Sequence, residues 1–487
     1  MPVASHPAES GELVLASYAE GRGTALAELA FRSGLAVTRA DGSLAAIPIG
    51  AVPVVLDDDE IARRGALATP LVSATAKAAR WRMTGARRSA VLESLGPAER
   101  RLVQATWPAL RELAVTRVDF LAAPDPWALE VNTTIPAMQG YSDIAAESWL
   151  RTFAAGRKDL PELIAANGSN ADALRDALTN LYTRARPDEL ASVGLLCRRH
   201  DAQLTELQYL AGRFRRAGLD ACVVHPDELT LRRGFLHHRG RPLQMVYRHL
   251  FVSRLDGEPA PDVEAAMAAA ESTGTLILNP PAPHLEMKST LALLSEAVES
   301  PELADSIGLD AAECRGIAAC VPWTRTLTMD TSGPAVAGSR ELFERVCAQP
   351  DEHVLKRSWS HGGDDVFVGR ARDTQAFRAR LHALHAGAGD WAGLCRHAAS
   401  DTRGGGFVVQ HAVPRVLAEQ VLCTPDTLQR AQVVTDYAAY ASLGVAPAWS
   451  GACRAAASDI VNIAGGGGVV PVIRKRVIDR LMPGAPP

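Results

Sequence analysis

Lysine is scarce in this sequence. The chain of 487 residues carries 51 lysines and arginines together, and only five of them are lysine. A compact ammonium group cannot be replaced by a planar guanidinium where space is tight, so each remaining lysine is a candidate for a specific role. An ordinary surface position is the preferred interpretation for Lys77, Lys158 and Lys475. The other two, Lys288 and Lys356, lie beside features that suggest phosphate binding.

The sequence also lacks the marks of several protein classes. Its eight cysteines are scattered without a C-x-x-C pair, which argues against a zinc ribbon or a disulfide framework and favours a reducing cytoplasm. We expect no secretory signal, because no basic segment followed by an apolar core stands at the N-terminus. No apolar run is long enough to cross a bilayer. The formal net charge of -4 gives no general attraction to nucleic acid. Neither a membrane nor nucleic acid is therefore an expected partner.

The rest of the composition is that of an ordinary globular protein, long enough for two or three lobes. Short apolar stretches with Gly and Pro predict strands and turns over residues 11–56. An acidic triplet then opens a predicted helix over residues 57–80, since acidic side chains suit a helix N-terminus. A second helix is predicted over 97–113. Residues 144–191 are predicted to be helical and solvent-rich.

Strands and helices alternate in the middle of the chain, which favours βαβ units around a parallel sheet. A further helix is predicted to begin at Lys288. The predicted strands of this part are 193–197, 221–224, 243–247 and 275–278, and its predicted helices are 201–217 and 263–271.

A candidate metal site lies in a predicted β-hairpin over residues 115–132. Glu130 and Asn132 are two apart on one strand, so they point to the same face. Asp119 lies on the partner strand, and Arg117 shares its face. Mg²⁺ prefers oxygen ligands and keeps phosphate oxygens in its shell, while a neighbouring guanidinium can stabilise a developing negative oxygen. A solvated polar face is the alternative for any single residue, but the tandem Arg-x-Asp and Glu-x-Asn-Thr pattern favours a magnesium hairpin.

A candidate phosphate clamp follows later in the chain. Lys356 ends a predicted strand over 353–356, and Gly362 and Gly363 lie in the loop before a second strand over 365–369. The ammonium group can neutralise phosphate, and glycines allow backbone N–H groups to approach its oxygens. The G-x-x-x-x-G-K-[ST] order of a P-loop is absent. Taken alone, the pattern is also that of a plain hairpin.

Two further segments have weaker patterns. The predicted strand over 407–413 carries Gln410 and His411 between apolar residues and can serve as a hinge whose backbone binds adenine. Arg454 precedes a glycine-rich run over 462–468, where the backbone can approach a phosphate or carboxylate. A buried strand and an ordinary loop are the respective alternatives.

Together these segments resemble the ATP-grasp superfamily. The Arg117 and Glu130 segments look like the metal-binding hairpin of D-alanine–D-alanine ligase. The stretch from Arg454 through Asn462 is similar to a segment of ribosomal-protein glutamate ligases and glutathione synthetases. The ordinary family has the lysine loop first and the metal hairpin last, whereas this chain has the reverse order. It therefore resembles the circularly permuted group, which includes eukaryotic glutathione synthetase and glutathionylspermidine-synthetase-like proteins.

The resemblance implies an α/β (α+β) fold, namely a circularly permuted ATP-grasp fold with a βαβ pre-ATP-grasp lobe. Residues 1–150 would form the metal-hairpin part of the core with the N-terminal strands, and residues 151–192 a helical insertion. Residues 193–320 would form a substrate lobe. Residues 321–480 would supply the lysine loop, the adenine hinge and the Arg/Asn/Gly-rich part.

The resemblance also implies roles for individual residues. Asp119 would hold the metal together with Glu130 and Asn132, because the lysine loop has Ser360 and His361 where the permuted synthetases have a metal-binding glutamate. Catalytic roles fall to Arg117 and Arg454. ATP-binding roles fall to Lys288, Lys356, Ser360, Gly362, Gly363, Gln410, His411, Val413 and Asp436. Substrate-binding roles fall to Arg248, Ser142, Asn462, Gly466 and Gly467.

The implied activity is that of a peptide-type carboxylate–amine ligase that uses ATP and Mg²⁺ through an acyl phosphate. Its partners would be a small amino-acid- or peptide-like acid and an amine, whose identities the sequence leaves open, and family analogy suggests a homodimer. Two alternatives remain open: a phosphotransferase on the same fold and a non-catalytic nucleotide-binding protein.

Overall fold

The computed structural model of the protein describes residues 21–107, 115–121, 125–269, 272–329, 341–384, 389–442, 449–463 and 465–482. Residues 11–20 of the first predicted strand region lie outside these ranges. So do the end of the helix predicted over 97–113 and part of the predicted hairpin turn.

The described residues form a mixed α/β structure. Its strands are β1 (Ala36–Thr38), β2 (Leu44–Ala46), β3 (Ile49–Gly50), β4 (Val54–Leu56), β5 (Thr116–Leu121), β6 (Trp127–Asn132), β7 (Ser192–Leu196), β8 (Asp220–Val224), β9 (Leu229–Arg232), β10 (Phe235–His238), β11 (Arg241–Pro242), β12 (Met245–Arg248), β13 (Leu276–Leu278), β14 (Thr324–Thr326), β15 (His353–Arg357), β16 (Val366–Val368), β17 (Phe407–His411), β18 (Leu417–Cys423), β19 (Leu428–Ala441), β20 (Trp449–Ala456), β21 (Gly468–Val470) and β22 (Val472–Arg474).

The α-helices are α1 (Gly23–Arg32), α2 (Asp58–Arg82), α3 (Arg87–Glu93), α4 (Pro97–Thr106), α5 (Gln139–Phe153), α6 (Leu160–Asn167), α7 (Asn170–Ala185), α8 (Leu204–Arg216), α9 (Pro261–Ala269), α10 (Lys288–Ala297), α11 (Pro301–Ile307), α12 (Ala311–Cys320), α13 (Glu341–Ala348), α14 (Gln375–Ala383), α15 (Trp391–Ser400) and α16 (Lys475–Leu481). Several begin as their sequences predict. The Asp57 carboxylate caps α2 by accepting from the Glu60 N–H, for example.

The largest sheet joins distant parts of the chain. Its seven strands follow the order β18-β3-β21-β20-β19-β5-β6, so the hairpin β5–β6 pairs with strands from the last quarter of the sequence. Helix α2 covers one face, where Leu71 and Val72 share a core with Tyr437. Helix α5 covers the other face, where Trp149 shares a core with Tyr440. The hairpin is thereby fixed between two apolar layers.

Two four-stranded sheets complete the frame of the site. The strands β14-β17-β15-β16 form an antiparallel sheet, packed against α13, α14 and α15. The strands β13-β12-β7-β8 form a parallel sheet, as the alternation in the middle of the chain predicts. The smaller sheets are β9–β11, β1 with β2, and β4 with β22.

The structure corrects two predictions about secondary structure. The region predicted as strands and turns contains the helix α1, whose N-cap Arg22 makes no capping side-chain bond. Its sequence therefore lacks a start signal. The stretch predicted to be solvent-rich begins with α5, most of which is buried. No helix among the described residues combines the length and apolarity needed to span a bilayer.

Candidate functional site

A cleft of about 620 Å³ lies where the large sheet, the antiparallel sheet and the parallel sheet meet. The hairpin β5–β6 supplies one wall, and the loop between β15 and β16 supplies another. A third wall comes from segments that follow β7 and β12. Ligands of open α/β sheets bind at the carboxyl ends of parallel strands, so this is an expected place for a site.

The hairpin brings the predicted metal residues together. Its register pairs Asp119 with Glu130 and Arg117 with Asn132, with a bulge directly after Asp119. Cross-strand partners lie on the same face, so all four side chains face the cleft. The Asn132 amide donates to Asp119 over 3.2 Å.

The Asp119 carboxylate is bound by two arginines. Arg117 donates from Nε to Oδ1 at 2.6 Å and from Nη2 to Oδ2 at 2.9 Å, and its Nη1 donates to the Ala137 carbonyl. Arg454 donates from Nη2 to the same Oδ2 at 2.9 Å. This is a paired, charge-assisted network within a buried site.

Arg454 is held by a second carboxylate. Asp436 on β19 accepts from the Arg454 backbone N–H at 2.8 Å and from its guanidinium. Burial raises the pKa of Asp436, and the charge of Arg454 opposes this rise. Asp436 is therefore paired with Arg454. Its contact with ATP stays a prediction.

Glu130 faces the ammonium group of Lys288, with 3.5 Å between Oε2 and Nζ. Burial raises the pKa of Glu130, but the nearby cations outweigh this effect and bring it down to about 2. The carboxylate is therefore ionised at any working pH. Lys288, in the first turn of α10, also donates to the Ser360 carbonyl at 2.9 Å, which ties the lysine loop to the hairpin.

Lys356 lies at the end of β15, beside β17. Its Nζ donates to Gln410 Oε1 at 2.7 Å and to the Leu129 carbonyl at 3.2 Å. The Gln410 amide in turn donates to Thr324 Oγ1 at 3.0 Å. Burial lowers the pKa of Lys356 to about 8, although Glu130 opposes the fall. This buried ammonium group lines the cleft and can bind an anion there.

The loop between β15 and β16 is braced by the glycine-rich segment. Gly362 and Gly363 both have positive φ, of 68° and 79°. The Asn462 amide donates to the Gly362 carbonyl, and its Oδ1 accepts from the Gly465 N–H. A side chain at Gly363 would meet Ile460 Cγ2 at 2.7 Å. The positive φ and the close side chain of Ile460 therefore both favour glycine there.

The structure brings most of the predicted residues to the cleft but leaves four of them outside its lining. Arg248 is buried and donates to the carbonyls of Asn279, Leu250 and Pro280. Ser142 is buried in α5 and bonds to Gln139 and Asn170. Gly466 and Gly467 follow the Asn462 turn. The predicted residues that line the cleft are Arg117, Asp119, Glu130, Asn132, Lys288, Lys356, Ser360, Gly362, Gly363, Gln410, His411, Val413, Asp436, Arg454 and Asn462.

Arg248 and Ser142 thus have structural partners in place of cleft contacts. The guanidinium of Arg248 holds the chain that follows β13, and Ser142 joins α5 to the start of α7. A spacing pattern cannot distinguish an arginine that binds substrate from one that binds backbone carbonyls, because both follow a strand.

The sequence patterns did not identify several residues that line the cleft. Each follows the carboxyl end of a parallel strand or the end of the hairpin, and that position is the one signal that could have identified them. They are Met138, Gln203, Phe251 and Arg254. Arg370, which follows β16 and donates to the Val413 carbonyl, also lines the cleft and was not identified.

A magnesium ion fits part of this residue set. Glu130 is about one-third exposed at the cleft wall. The side-chain amide nitrogen of Asn132 donates to Asp119, so the Oδ1 atom of Asn132 can bind a cation. Asp119 already accepts from three side chains, so a metal there would displace one of them. The described residues contain no cluster of three His, Cys, Asp or Glu side chains suited to a metal. Any ion would depend on amide and phosphate oxygens.

Comparison with solved structures shows the fold. A glutathione synthetase-like effector of Globodera pallida, solved without ligand, aligns with a TM-score of 0.55 at 11% identity, over 95% of this chain and 97% of its own. A protein assigned as a γ-glutamylcysteine synthetase of Methylobacillus flagellatus KT aligns with a TM-score of 0.40 at 12% identity, over 86% and 89% of the two chains. No family model and no curated protein matches the sequence. The chain shares the fold of the first structure.

Proposed function

We propose that this protein is an ATP- and Mg²⁺-dependent carboxylate–amine ligase with a circularly permuted ATP-grasp fold. The observation that carries the proposal is the convergence of Glu130 and Asn132 with Lys288 and Lys356 in one cleft. An ionised carboxylate, an amide oxygen and two ammonium groups form a set that suits a nucleotide triphosphate with its metal. The synthetase-like fold supports the same reading.

In the proposed reaction a substrate carboxylate attacks the γ-phosphate of ATP and gives an acyl phosphate and ADP. An amine then attacks the acyl carbon and releases phosphate. Bound Mg²⁺ would neutralise phosphate charge, with Glu130 and Asn132 as its protein ligands and Asp119 as a third ligand. Such transfer needs positioning and charge neutralisation more than a protein nucleophile.

The chain's own residues would divide these tasks. Lys356, which donates to Gln410 on β17, would bind the phosphates of ATP. The adenine would lie against the hinge over residues 407–413, which ends at Val413. Lys288 would hold the transferring phosphoryl group. Arg117 and Arg454, already fixed by carboxylates, would stabilise the negative oxygens of the acyl phosphate without reorganisation.

We also propose that three of the four predicted parts of the chain contribute to this one site, while residues 151–192 supply none of its lining residues. Strand β5 of the hairpin, from residues 1–150, pairs with β19 from residues 321–480, and β19 pairs in turn with β20. Residues 193–320 supply the wall with Gln203 and Phe251, where a substrate would enter. A cytoplasmic location remains part of the proposal.

A phosphotransferase is the second candidate, since the same cleft could stop at a phosphorylated product. Release of ADP that is independent of amine, with a stable phosphorylated acid, would favour it.

Glu130→Gln tests the proposal at the site. We expect the variant to lose ADP release by roughly 100-fold or more, because the cleft loses its ionised oxygen ligand. The circular dichroism spectrum should stay unchanged, since the side chain is partly exposed and its shape is kept. The exposed Glu93→Gln variant is the matched control. Wild-type turnover by Glu130→Gln would contradict the metal assignment.

A further inference from the structure

His361 lies on the loop between β15 and β16 and lines the cleft. Its ring packs against Phe251 with 4.2 Å between ring centroids, and edge-on against Trp359 at 4.4 Å. The side chain keeps 37% of its surface exposed. The imidazole is therefore held between two aromatic rings and remains open on the side of the cleft.

The carboxylate of Glu286 lies close to the His361 ring. Glu286 Oε1 lies 3.7 Å from His361 Nδ1. The other oxygen of Glu286 accepts from the backbone N–H groups of Thr133 and Thr134, at 2.5 Å each, and from the Thr133 hydroxyl at 3.1 Å. These bonds anchor Glu286 to the turn directly after the metal hairpin. The imidazole therefore faces a carboxylate that is fixed by the segment directly after Asn132.

The electrostatics favour a neutral imidazole. Burial lowers the pKa of His361, and the Glu286 carboxylate partly opposes this fall. The ring is therefore uncharged at neutral pH and can accept a proton, after which Glu286 would stabilise the imidazolium. The charged groups that act on the ring are Glu286, Lys288, Glu130 and Asp364.

Three other groups in the cleft are poorly suited to accept a proton from a substrate. Glu130 faces the ammonium group of Lys288, with 3.5 Å between Oε2 and Nζ. Asp119 is bound by two arginines. Lys356 is bonded to Gln410 and the Leu129 carbonyl, on the side assigned to ATP.

We propose that His361 is the general base of the second step, oriented by Glu286. The inference rests on the proposed ligase function. Nδ1 faces Glu286, so Nε2 is the nitrogen that meets the substrate. As the amine nitrogen forms its bond to the acyl carbon, the bond from that carbon to the phosphate oxygen breaks and phosphate leaves. Nε2 takes one proton from the incoming ammonium group, which frees the nitrogen lone pair for the attack, and passes this proton to solvent. The second proton that the nitrogen loses as the amide forms goes to the departing phosphate.

The test uses two classes of nucleophile. Glycine, glycylglycine and spermidine are protonated at neutral pH and need a base, whereas hydroxylamine is largely uncharged there. Wild-type protein, His361→Gln and His361→Ala are assayed with Mg-ATP and a pool of amino acids and small peptides as acids. Amide, hydroxamate and ADP are measured between pH 6 and 9, with the exposed His200→Gln as matched control.

We expect the two His361 variants to lose amide formation by roughly 100-fold while hydroxamate formation stays within about threefold of the wild type. In the variants the acid limb of the pH profile for amide formation should move to higher pH, because only amine that is already uncharged can then react. Added imidazole should restore part of the activity of His361→Ala. Equal losses with both nucleophiles would overturn the assignment, as would no loss with either. Absence of acid-dependent ADP release by the wild-type protein, even with hydroxylamine, would overturn the ligase function itself.

Discussion

Arg454 is the arginine that links two carboxylates of the site, those of Asp119 and Asp436. It bonds to Asp119 and Asp436 from a buried position on β20, with 16% of its side chain exposed. The sequence singles out Arg454 and Asp119 but cannot pair them, because they are 335 positions apart and meet only through the sheet. The same limit hides the bonds of Arg248 to the backbone carbonyls of Asn279 and Pro280, which are 31 and 32 positions away.

Removal of the Arg454 charge should destabilise the fold. Arg454→Met leaves two buried carboxylates without their shared counter-charge, so we expect the free energy of unfolding to fall by about 3 kcal/mol. Arg430→Met on the neighbouring strand is the control, because its ion pair with Glu419 is largely exposed and should change stability by less than about 1 kcal/mol. Urea unfolding of both variants measures the difference, and equal effects would contradict the network.

Glu206 is a buried carboxyl group that no sequence pattern marks. It lies in the first turn of α8, and its Oε1 accepts from the backbone N–H groups of Met138 and Gly140 at 2.8 and 3.0 Å. Burial raises its pKa from 4.5 to about 7, against those two bonds. Met138 lines the cleft with a φ of 90°, so Glu206 on α8 stabilises a strained turn of the cleft wall.

The raised pKa of Glu206 predicts a pH-dependent stability difference. Between pH 4.5 and 7 the folded state keeps a proton that the unfolded state has lost, so wild-type stability falls through this group as pH rises. Glu206→Gln does not titrate. The unfolding free energy of the variant relative to the wild type should therefore increase by about 3 kcal/mol from pH 4.5 to pH 8. Urea unfolding at both pH values tests this, with Glu93→Gln as control, and a constant difference would refute it.

At the scale of elements, the loop from Lys356 to β16 was predictable in outline. A lysine at a strand end followed by paired glycines correctly predicts a loop between two strands. The brace from the Asn462 segment was not predictable, since each segment alone is an ordinary loop and only the tertiary structure brings them together. Helix α1 escaped prediction because no capping side chain marks its start.

The two glycines of the loop should differ when changed to alanine. Both have positive φ, so each alanine costs about 1 kcal/mol of backbone strain. A side chain at Gly362 meets nothing within 4 Å, whereas one at Gly363 meets Ile460 and Asn462. We expect Gly363→Ala to lower the hydrogen-exchange protection of the Val366 amide, which bonds to the Gly363 carbonyl, more than Gly362→Ala does. Equal loss of protection would argue against the close packing.

At the scale of the whole molecule, the order of the sequence motifs along the chain indicated the fold more specifically than any single motif did. The sequence predicts the mixed α/β class, the hairpin, the parallel sheet and the first turn of α10, and the structure confirms each. The family resemblance implies that the first and last parts of the chain form one core, which stays a prediction, and the seven-stranded sheet contains strands from both parts. The bulge after Asp119 and the third wall of the cleft depend on tertiary packing, which local patterns do not encode.

The most direct test of the ligase function is a balance of products. Purified protein is incubated with Mg-ATP and paired pools of acids and amines, and ADP, phosphate and amide are measured together. A ligase acting through an acyl phosphate yields the three in equal amounts, and only when acid and amine are both present. ADP formed with a stable phosphorylated acid and no amide, or an absence of Mg-ATP binding by calorimetry, would contradict the function proposed for this cleft.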